Sequence, residues 1–185
     1  RYVQWLHSTI GQRPNTNPNA MEHGEPWPGG RTNHYFFDLN RDWSWVTQRE
    51  TEARIRLYRE WMPHVHVDFH EMGYGSTYFF FPAATPLHTE FPQEVIKWGA
   101  IYGKGNAEAL DRFGIPYYTG ETFDLFYPGY GDSWPTFNGA IGMTYEQAGG
   151  GIASVAIRRP DGQILTLRER SRNHFLTGMA TLETT

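Results

Sequence analysis

His64-Val65-His66-Val67-Asp68-Phe69-His70 alternates polar and apolar side chains, and Ile141-Gly142-Met143-Thr144-Tyr145-Glu146 is a second strand-forming run. Alternation with a period of two predicts a strand with Val65, Val67 and Phe69 on one side and His64, His66, Asp68 and His70 on the other. Each run closes on a chemically useful group: a potential metal ligand in His70 and a potential general base in Glu146. Two such strand ends predict a hydrolytic site assembled at one edge of a sheet.

The flanking sequence supplies helices. Thr47-Gln48-Arg49-Glu50 fits a capping box, Glu50/Arg54 and Glu52/Arg56 fit four-residue charge pairs, and Ile55, Tyr58 and Met62 share a face before Pro63 stops the helix. Thr77 to Phe81 reads as a short strand. Pro92 suits the first turn of a second helix carrying Val95, Trp98 and Ala109 and ending at Gly114, although Gly99, Gly103 and Gly105 weaken its interior. Ile115 to Thr119 reads as extended, and 127–134 as rich in turns. Thr166-Leu167-Arg168-Glu169 is another capping box, opening a last helix with Leu167, Phe175, Met179 and Leu182 for its buried face. Strands alternating with helices predict an α/β sandwich with a largely parallel sheet.

At 185 residues, a single domain is the default. A net charge of −4, with no run of Lys or Arg, argues against a nucleic-acid partner. No apolar run approaches the ~20 residues of a membrane span, and no cysteine is present for a disulfide or a thiolate metal site. The stretch from about residue 11 to 33, with Pro14, Pro18, Gly24, Pro26, Pro28, Gly29 and Gly30, predicts a long surface loop. The chain opens at Arg1 in apolar, ordered-looking sequence, and the expectation is a piece of something longer.

Taken singly, each candidate group has an ordinary reading. A strand-end histidine is often only hydrogen-bonded, and His64 and His66 read as structural. Asp38-Leu39-Asn40-Arg41-Asp42-Trp43 fits a surface turn in which Arg41 and Asp42 pair locally, or an Asn-Arg pair holding a substrate carboxylate. Glu146 fits a plain strand-end carboxylate, Gly149 to Gly151 a flexible turn, and Tyr127, Tyr130 and Trp134 packing.

Together, and in this order, Asp38-Leu39-Asn40-Arg41, Asp68-Phe69-His70, Tyr127-Pro128-Gly129-Tyr130-Gly131-Asp132-Ser133-Trp134 and Met143-Thr144-Tyr145-Glu146 resemble the zinc carboxypeptidase family, from about Gly30 to the C-terminus. The resemblance implies a three-layer α/β/α sandwich with a mixed, largely parallel sheet, this chain forming the C-terminal portion of one catalytic domain. It implies Zn2+ as cofactor, His70 as one zinc ligand, Asn40 and Arg41 as the clamp on the substrate's terminal carboxylate, Tyr127 as the mobile cap, and Glu146 as general base. Tyr130 is the competing candidate for the tyrosine role. Asp38 matches the aspartate that holds the family's first zinc-binding histidine. The His-x-x-Glu element that supplies the family's other two ligands is missing, and two further ligands are expected upstream of Arg1. Arg1 and Arg13 are candidates for the oxyanion-binding arginine.

The implied activity is hydrolysis of the last peptide bond of peptides or proteins. Zinc activates water, Glu146 takes its proton, and Arg41 and Asn40 align the substrate end. The residues leave the compartment open, and the resemblance alone favours a secreted or periplasmic setting. The long loop and the aromatic run Tyr78 to Phe81 are candidates to border the cleft. Rival readings are a non-catalytic binding module, a carbohydrate-active protein using carboxylates among Asp68, Glu71 and Glu146, and an amidohydrolase of small N-acyl amino acids.

Overall fold

A computed structural model describes residue 4, residues 7–8, 14–27 and 29–185. The fold is α/β with a mixed sheet. The alternating run forms β1 (Val65–Met72), which pairs parallel with β5 (Ile141–Ala148), and β2 (Tyr78–Phe79) pairs antiparallel on the other side of β5. Two small ladders flank this sheet: β3 (Ala84–Leu87) with β4 (Asp124–Leu125), and β6 (Ala156–Arg158) with β7 (Ile164–Thr166). The helices are α1 (Arg49–Trp61), α2 (Gln93–Asp111), α3 (Ser133–Phe137) and α4 (Leu167–Thr184). No described helix is long and apolar enough to cross a membrane.

Strand parity decides which layer each side chain joins. Met143 and Tyr145 of β5 are fully buried in one cluster with Tyr102 and Leu110 of α2, and Val65 and Val67 of β1 pack against it. Thr144 and Glu146 point to the opposite face, where α3 lies: a Cβ on Gly142 would overlap the Asp132 carbonyl just before that helix. On that face Trp43 packs near His66 and Trp134, with ring centroids 5.7 and 5.6 Å away. Helices therefore cover both faces of the sheet, as the sandwich expectation required.

Several local expectations are corrected by tertiary contacts. The start of α1 is held by Asp42, not by a Thr47 capping box: its carboxylate accepts from Thr47 N and Oγ1 at 2.9 and 2.6 Å and from Gln48 N at 3.0 Å. Arg54 does not pair with Glu50. It lies over the Trp43 ring at 3.7 Å and donates to the Leu39 carbonyl, since an apolar ring and a buried acceptor outcompete a solvated i,i+4 partner. Glu52/Arg56 likewise does not close; among the described helices the i,i+4 ion pair that does form is Lys104–Glu108 at 3.9 Å. Helix α1 ends at Met62, left-handed at φ 42°, because the residue before Pro63 is kept out of the helical region.

The two long helices bury faces other than those their apolar residues marked. In α2 the buried positions are Gly99, Tyr102, Gly103, Asn106 and Leu110, while Trp98 is exposed. Its glycines are contact points: a Cβ on Gly103 would overlap the Phe81 carbonyl oxygen, and one on Gly105 would overlap Thr184 Oγ1 of α4. In α4 the capping box forms as expected, with Glu169 N donating to Thr166 Oγ1 and the Glu169 carboxylate accepting from Thr166 N. Its buried face, however, is Arg170, Asn173, Thr177, Ala180 and Thr181, whereas Leu167, Phe175, Met179 and Leu182 are exposed. The sheet below α4 offers hydroxyls. Tyr78 Oη and Tyr145 Oη meet Thr177 Oγ1 and Thr181 Oγ1 at 2.7 and 2.8 Å, and buried phenols need such partners.

Tyr78 to Phe81 are core residues, not a cleft border, and only the first two are in a strand. From 115 to 119 the backbone makes a single bridge, Tyr118 to Phe79. The loop before Asn33 is docked along part of its length: His23 is buried with Nδ1 2.5 Å from the Ile152 carbonyl and Nε2 2.6 Å from that of Asn15, and Arg158 N donates to the Thr16 carbonyl. Its residues 11–13 and 28 lie outside the described set.

Candidate active site

The register places His70 of β1 directly opposite Glu146 of β5. In a parallel pair, residues in register project from the same face with strands ~4.8 Å apart, so two groups distant in sequence share one site. The residues two positions earlier, Asp68 and Thr144, project the same way.

Asp68 Oδ2 lies 2.6 Å from His70 Nε2, and this hydrogen bond holds the imidazole's pKa above its ordinary value despite partial burial. His174 of α4 fixes the strand end from behind, with Nε2 donating to the His70 carbonyl at 3.1 Å and Nδ1 accepting from Tyr78 Oη at 2.8 Å. His66 packs deeper against Trp43, and burial lowers its pKa, which suits a structural ring. Glu146 is buried, and its Oε2 has no hydrogen-bond partner. Desolvation raises its pKa to about 7, with the positive end of His70 opposing the rise. A carboxylate near neutrality exchanges protons readily around pH 7.

The clamp candidates sit on a 3-10 turn, Leu39–Arg41, capped by Asp38, whose Oδ1 accepts from Asn40 N at 2.9 Å. Asn40 Oδ1 accepts from Trp43 Nε1 at 3.1 Å and Gly131 N at 2.8 Å. That fixes the amide, whose Nδ2 lies 3.0 Å from His70 Nε2. Arg41 is half exposed, with its guanidinium 4.5 Å above the Tyr130 ring. Asp38 Oδ2 lies 3.8 Å from Arg41 Nη1 and accepts from Arg31 Nε at 3.1 Å. Among the described residues its side chain thus meets arginines and its own turn, and no histidine.

A cavity of about 180 Å³ brings together Arg31, Asn40, Arg41, His70, Tyr130 and Glu146. Tyr127 is not in its lining: its hydroxyl accepts from Trp45 Nε1 at 2.6 Å and donates to the Arg41 carbonyl at 3.2 Å, so it braces the backbone at Arg41. The glycines of the 127–134 turn allow close passage over the site, since a Cβ on Gly131 would overlap the Asp68 carboxylate. Asp132 also lines the cavity. It is buried, accepts from Ser133 N at 2.6 Å and Thr144 Oγ1 at 2.8 Å, and burial raises its pKa to about 6.

Sequence reasoning missed Arg31, and it quoted Asp132 within the 127–134 motif without giving it a role. Arg31 stands seven residues before Asp38 in a loop without periodicity, and nothing local marks it; Arg1 and Arg13, the expected oxyanion cations, lie outside the described residues. Thr144 and Asp68 were legible by strand parity, two residues before Glu146 and His70.

His70 and Glu146 offer donor types that zinc accepts, an imidazole nitrogen and a buried, unpartnered carboxylate oxygen. Among the described residues, however, no three His, Asp or Glu side chains converge to hold a metal ion. His70 alone is therefore a candidate for one position of a zinc shell, with the Glu146 carboxylate across the strand pair left to act on water.

No family model and no curated protein matches the sequence. The fold is similar to that of a solved metallo-carboxypeptidase from Burkholderia cenocepacia, with a TM-score of 0.60 and 18% identity over 91% of this chain. The chain spans 42% of the length of that protein. At this identity the likeness shows the fold.

Proposed function

We propose that this chain carries the base, the substrate clamp and one metal ligand of a zinc-dependent metallocarboxypeptidase acting on peptide or protein C-termini. The observation that carries the reading is the cross-strand pair of His70 and Glu146, opening on one cavity with Asn40 and Arg41. The similarity of fold to a metallo-carboxypeptidase agrees with it.

In this reading His70 contributes one protein ligand, and the others come from outside the described residues. Zinc, when bound, supplies Lewis-acid activation of water and of the scissile carbonyl. The rest follows from the chain's own groups. Glu146 Oε2, buried and free of a partner, takes a proton from the attacking water and passes it to the leaving amine. Arg41 holds the terminal carboxylate through a two-pronged pair, with Asn40 beside it, and so aligns the last peptide bond. The requirement for a free carboxylate makes the activity exopeptidic. To Arg31, which lines the same cavity, this reading gives the role of meeting charge that develops on the carbonyl oxygen. Tyr130 takes the substrate-facing tyrosine role, because it lines the cavity and Tyr127 does not.

The test is Glu146→Gln in the full-length protein. Turnover of free-acid peptides should fall by roughly 10²- to 10⁴-fold, the usual contribution of a positioned base, with the fold retained by circular dichroism. A variant that keeps near-normal kcat removes Glu146 from the role.

A further inference from the structure

His23 is a buried titratable group that the reaction does not use. Its side chain is 0% exposed, and both ring nitrogens face backbone carbonyl oxygens, Nδ1 at 2.5 Å from Ile152 O and Nε2 at 2.6 Å from Asn15 O. A carbonyl oxygen can only accept, and a neutral imidazole has a single N–H to give. Both contacts are hydrogen bonds only in the imidazolium, where each nitrogen donates. In the neutral ring one nitrogen lone pair would face an oxygen lone pair at contact distance. The counter-charge is in place: Glu22, 4% exposed, has Oε1 3.5 Å from His23 Nε2 and accepting from Asn15 N at 2.7 Å. Buried charges are ordinarily paired, and here the preceding residue supplies the partner.

The two carbonyls belong to segments far apart in sequence. Asn15 precedes the 3-10 turn Met21–His23, and Ile152 follows the glycine turn in which β5 ends. There Gly149 N and Gly150 N both donate to the Met72 carbonyl, and a Cβ on Gly150 would overlap the Glu71 carbonyl oxygen, so glycine is what lets the chain double back. Glu25 borders the same turn: its carboxylate is 3.6 Å from where a Cβ on Gly151 would stand and 3.1 Å from that of Gly30. Arg31, in the lining of the cavity, comes next. The segment that carries Arg31 is thus fastened to the end of the strand that carries Glu146. Among the described residues, the charged groups around the His23 ring are Glu22 in contact, Glu25 across Gly151 and the Glu71–Arg170 pair at Gly149. Arg158 reaches this region through its backbone N, which donates to the Thr16 carbonyl, while its guanidinium turns to the Gly162 carbonyl.

We infer that His23, as the imidazolium, is the positioning residue for Arg31: its two opposed donors bridge the Asn15 and Ile152 carbonyls and hold the Arg31-bearing segment against the end of β5. This rests on the role given to Arg31 above. Arg31 and Glu146 stand on different segments, and a displacement of about 1 Å between groups that act on one bond is enough to cost up to ~10²-fold in rate. Loss of the second ring proton turns one of the two hydrogen bonds into a repulsion and leaves Glu22 buried without its cation. Docking of the segment takes up that proton, so acid favours the docked state and rising pH releases it.

The first test uses the 185-residue chain, with ring-nitrogen NMR of labelled histidines beside hydrogen exchange of residues 14–27. The His23 signals, identified by their loss in His23→Gln, should show both nitrogens protonated wherever the segment is protected, and protection should fall in step with any loss of the second proton between about pH 5 and pH 8. His23→Gln should lower that protection by roughly tenfold or more, the scale of one hydrogen bond, with β1 and β5 unchanged as the control for folding. A protected segment with one bare ring nitrogen overturns the inference, as does a segment unprotected at about pH 5 or one equally protected in His23→Gln. The wild-type spectrum decides even where the variant does not fold. In the full-length protein His23→Gln should lower kcat on free-acid peptides by about tenfold with KM little changed, and should add nothing to the loss in Arg31→Ala. A loss confined to KM, or full additivity with Arg31→Ala, overturns the positioning role while the reading of Arg31 stands. If Arg31→Ala itself leaves kcat unchanged, the reading of Arg31 is what fails, and the inference falls with it.

Discussion

The two faces of the β1–β5 pair are built on opposite terms, although their residues alternate along the same strands. Under α2 and α4, Met143 and Tyr145 are fully buried, and even the phenol of Tyr145 has its hydroxyl partner in Thr181. Under the 39–41 turn and α3, the intervening residues leave Glu146 with an orphaned oxygen, Asp132 with no cation, and His70 against a carboxylate. On the first face the two phenols have hydroxyl partners, and among the atoms left without one are neutral amide atoms of Asn106 and Asn173. The second keeps groups in states that folding alone disfavours, which is the pattern of a reacting surface on a rigid support.

The contrast can be broken most directly from the reactive side. Besides Glu146→Gln, Arg41→Ala in the full-length protein should lower kcat/KM on free-acid peptides by about 10²-fold or more, with a much smaller loss on C-terminally amidated ones. Equal losses on both would make Arg41 a structural residue. The pH dependence of stability sharpens the comparison next. Burial raises the Asp132 pKa from 3.8 to about 6, so its favourable contribution is fully present below pH 3.8 and lost as pH rises through 6. Asp132→Asn should therefore gain stability relative to wild type between pH 4 and pH 7, by up to ~3 kcal/mol from a shift of about two units. Urea unfolding at both pH values checks this, and a difference independent of pH would mean that the buried charge carries no such cost.

The supporting face should respond through packing alone. Gly103→Ala forces a methyl group into the Phe81 carbonyl and should cost about 1–3 kcal/mol with no change in the shape of any pH profile. Thr181→Val removes the hydroxyl partner of the buried Tyr145 phenol for a similar or slightly smaller loss, about 1–2 kcal/mol. The smallest effect belongs to the outer side of α4: Leu182→Lys, on a side chain 70% exposed, should move the melting free energy by less than about 0.5 kcal/mol. A large loss there would show that this apolar stripe is covered in solution.

The features legible in the sequence are those set by neighbours a few residues apart. The 64–70 alternation became β1, the 141–146 run became β5, and Thr166 with Glu169 became a closed capping box, because pleat and cap geometry are local. The same local reasoning failed at Thr47, where Asp42 reached over five residues to claim the donors, and along α4, where apolar spacing marked the wrong face. Burial follows from what lies opposite, and opposite α4 lie two tyrosine hydroxyls and a glutamine, Gln147, to which Asn173 donates at 2.8 Å. Arg31 was invisible for the same reason, and Asp132 stood in a quoted motif without a role. A cation in an aperiodic loop and an aspartate in a turn acquire meaning only when a cavity gathers them.

By itself, then, the sequence determined the strands, their parity and the chemical groups at their ends. Tertiary structure alone decided that His70 and Glu146 stand in register, that Tyr130 and not Tyr127 reaches the cavity, and that Arg31 and Asp132 complete its charge. Strand alternation is a property of adjacent peptide units. Register and cavity lining are fixed by burial and hydrogen bonding between segments far apart along the chain, where no local pattern records them.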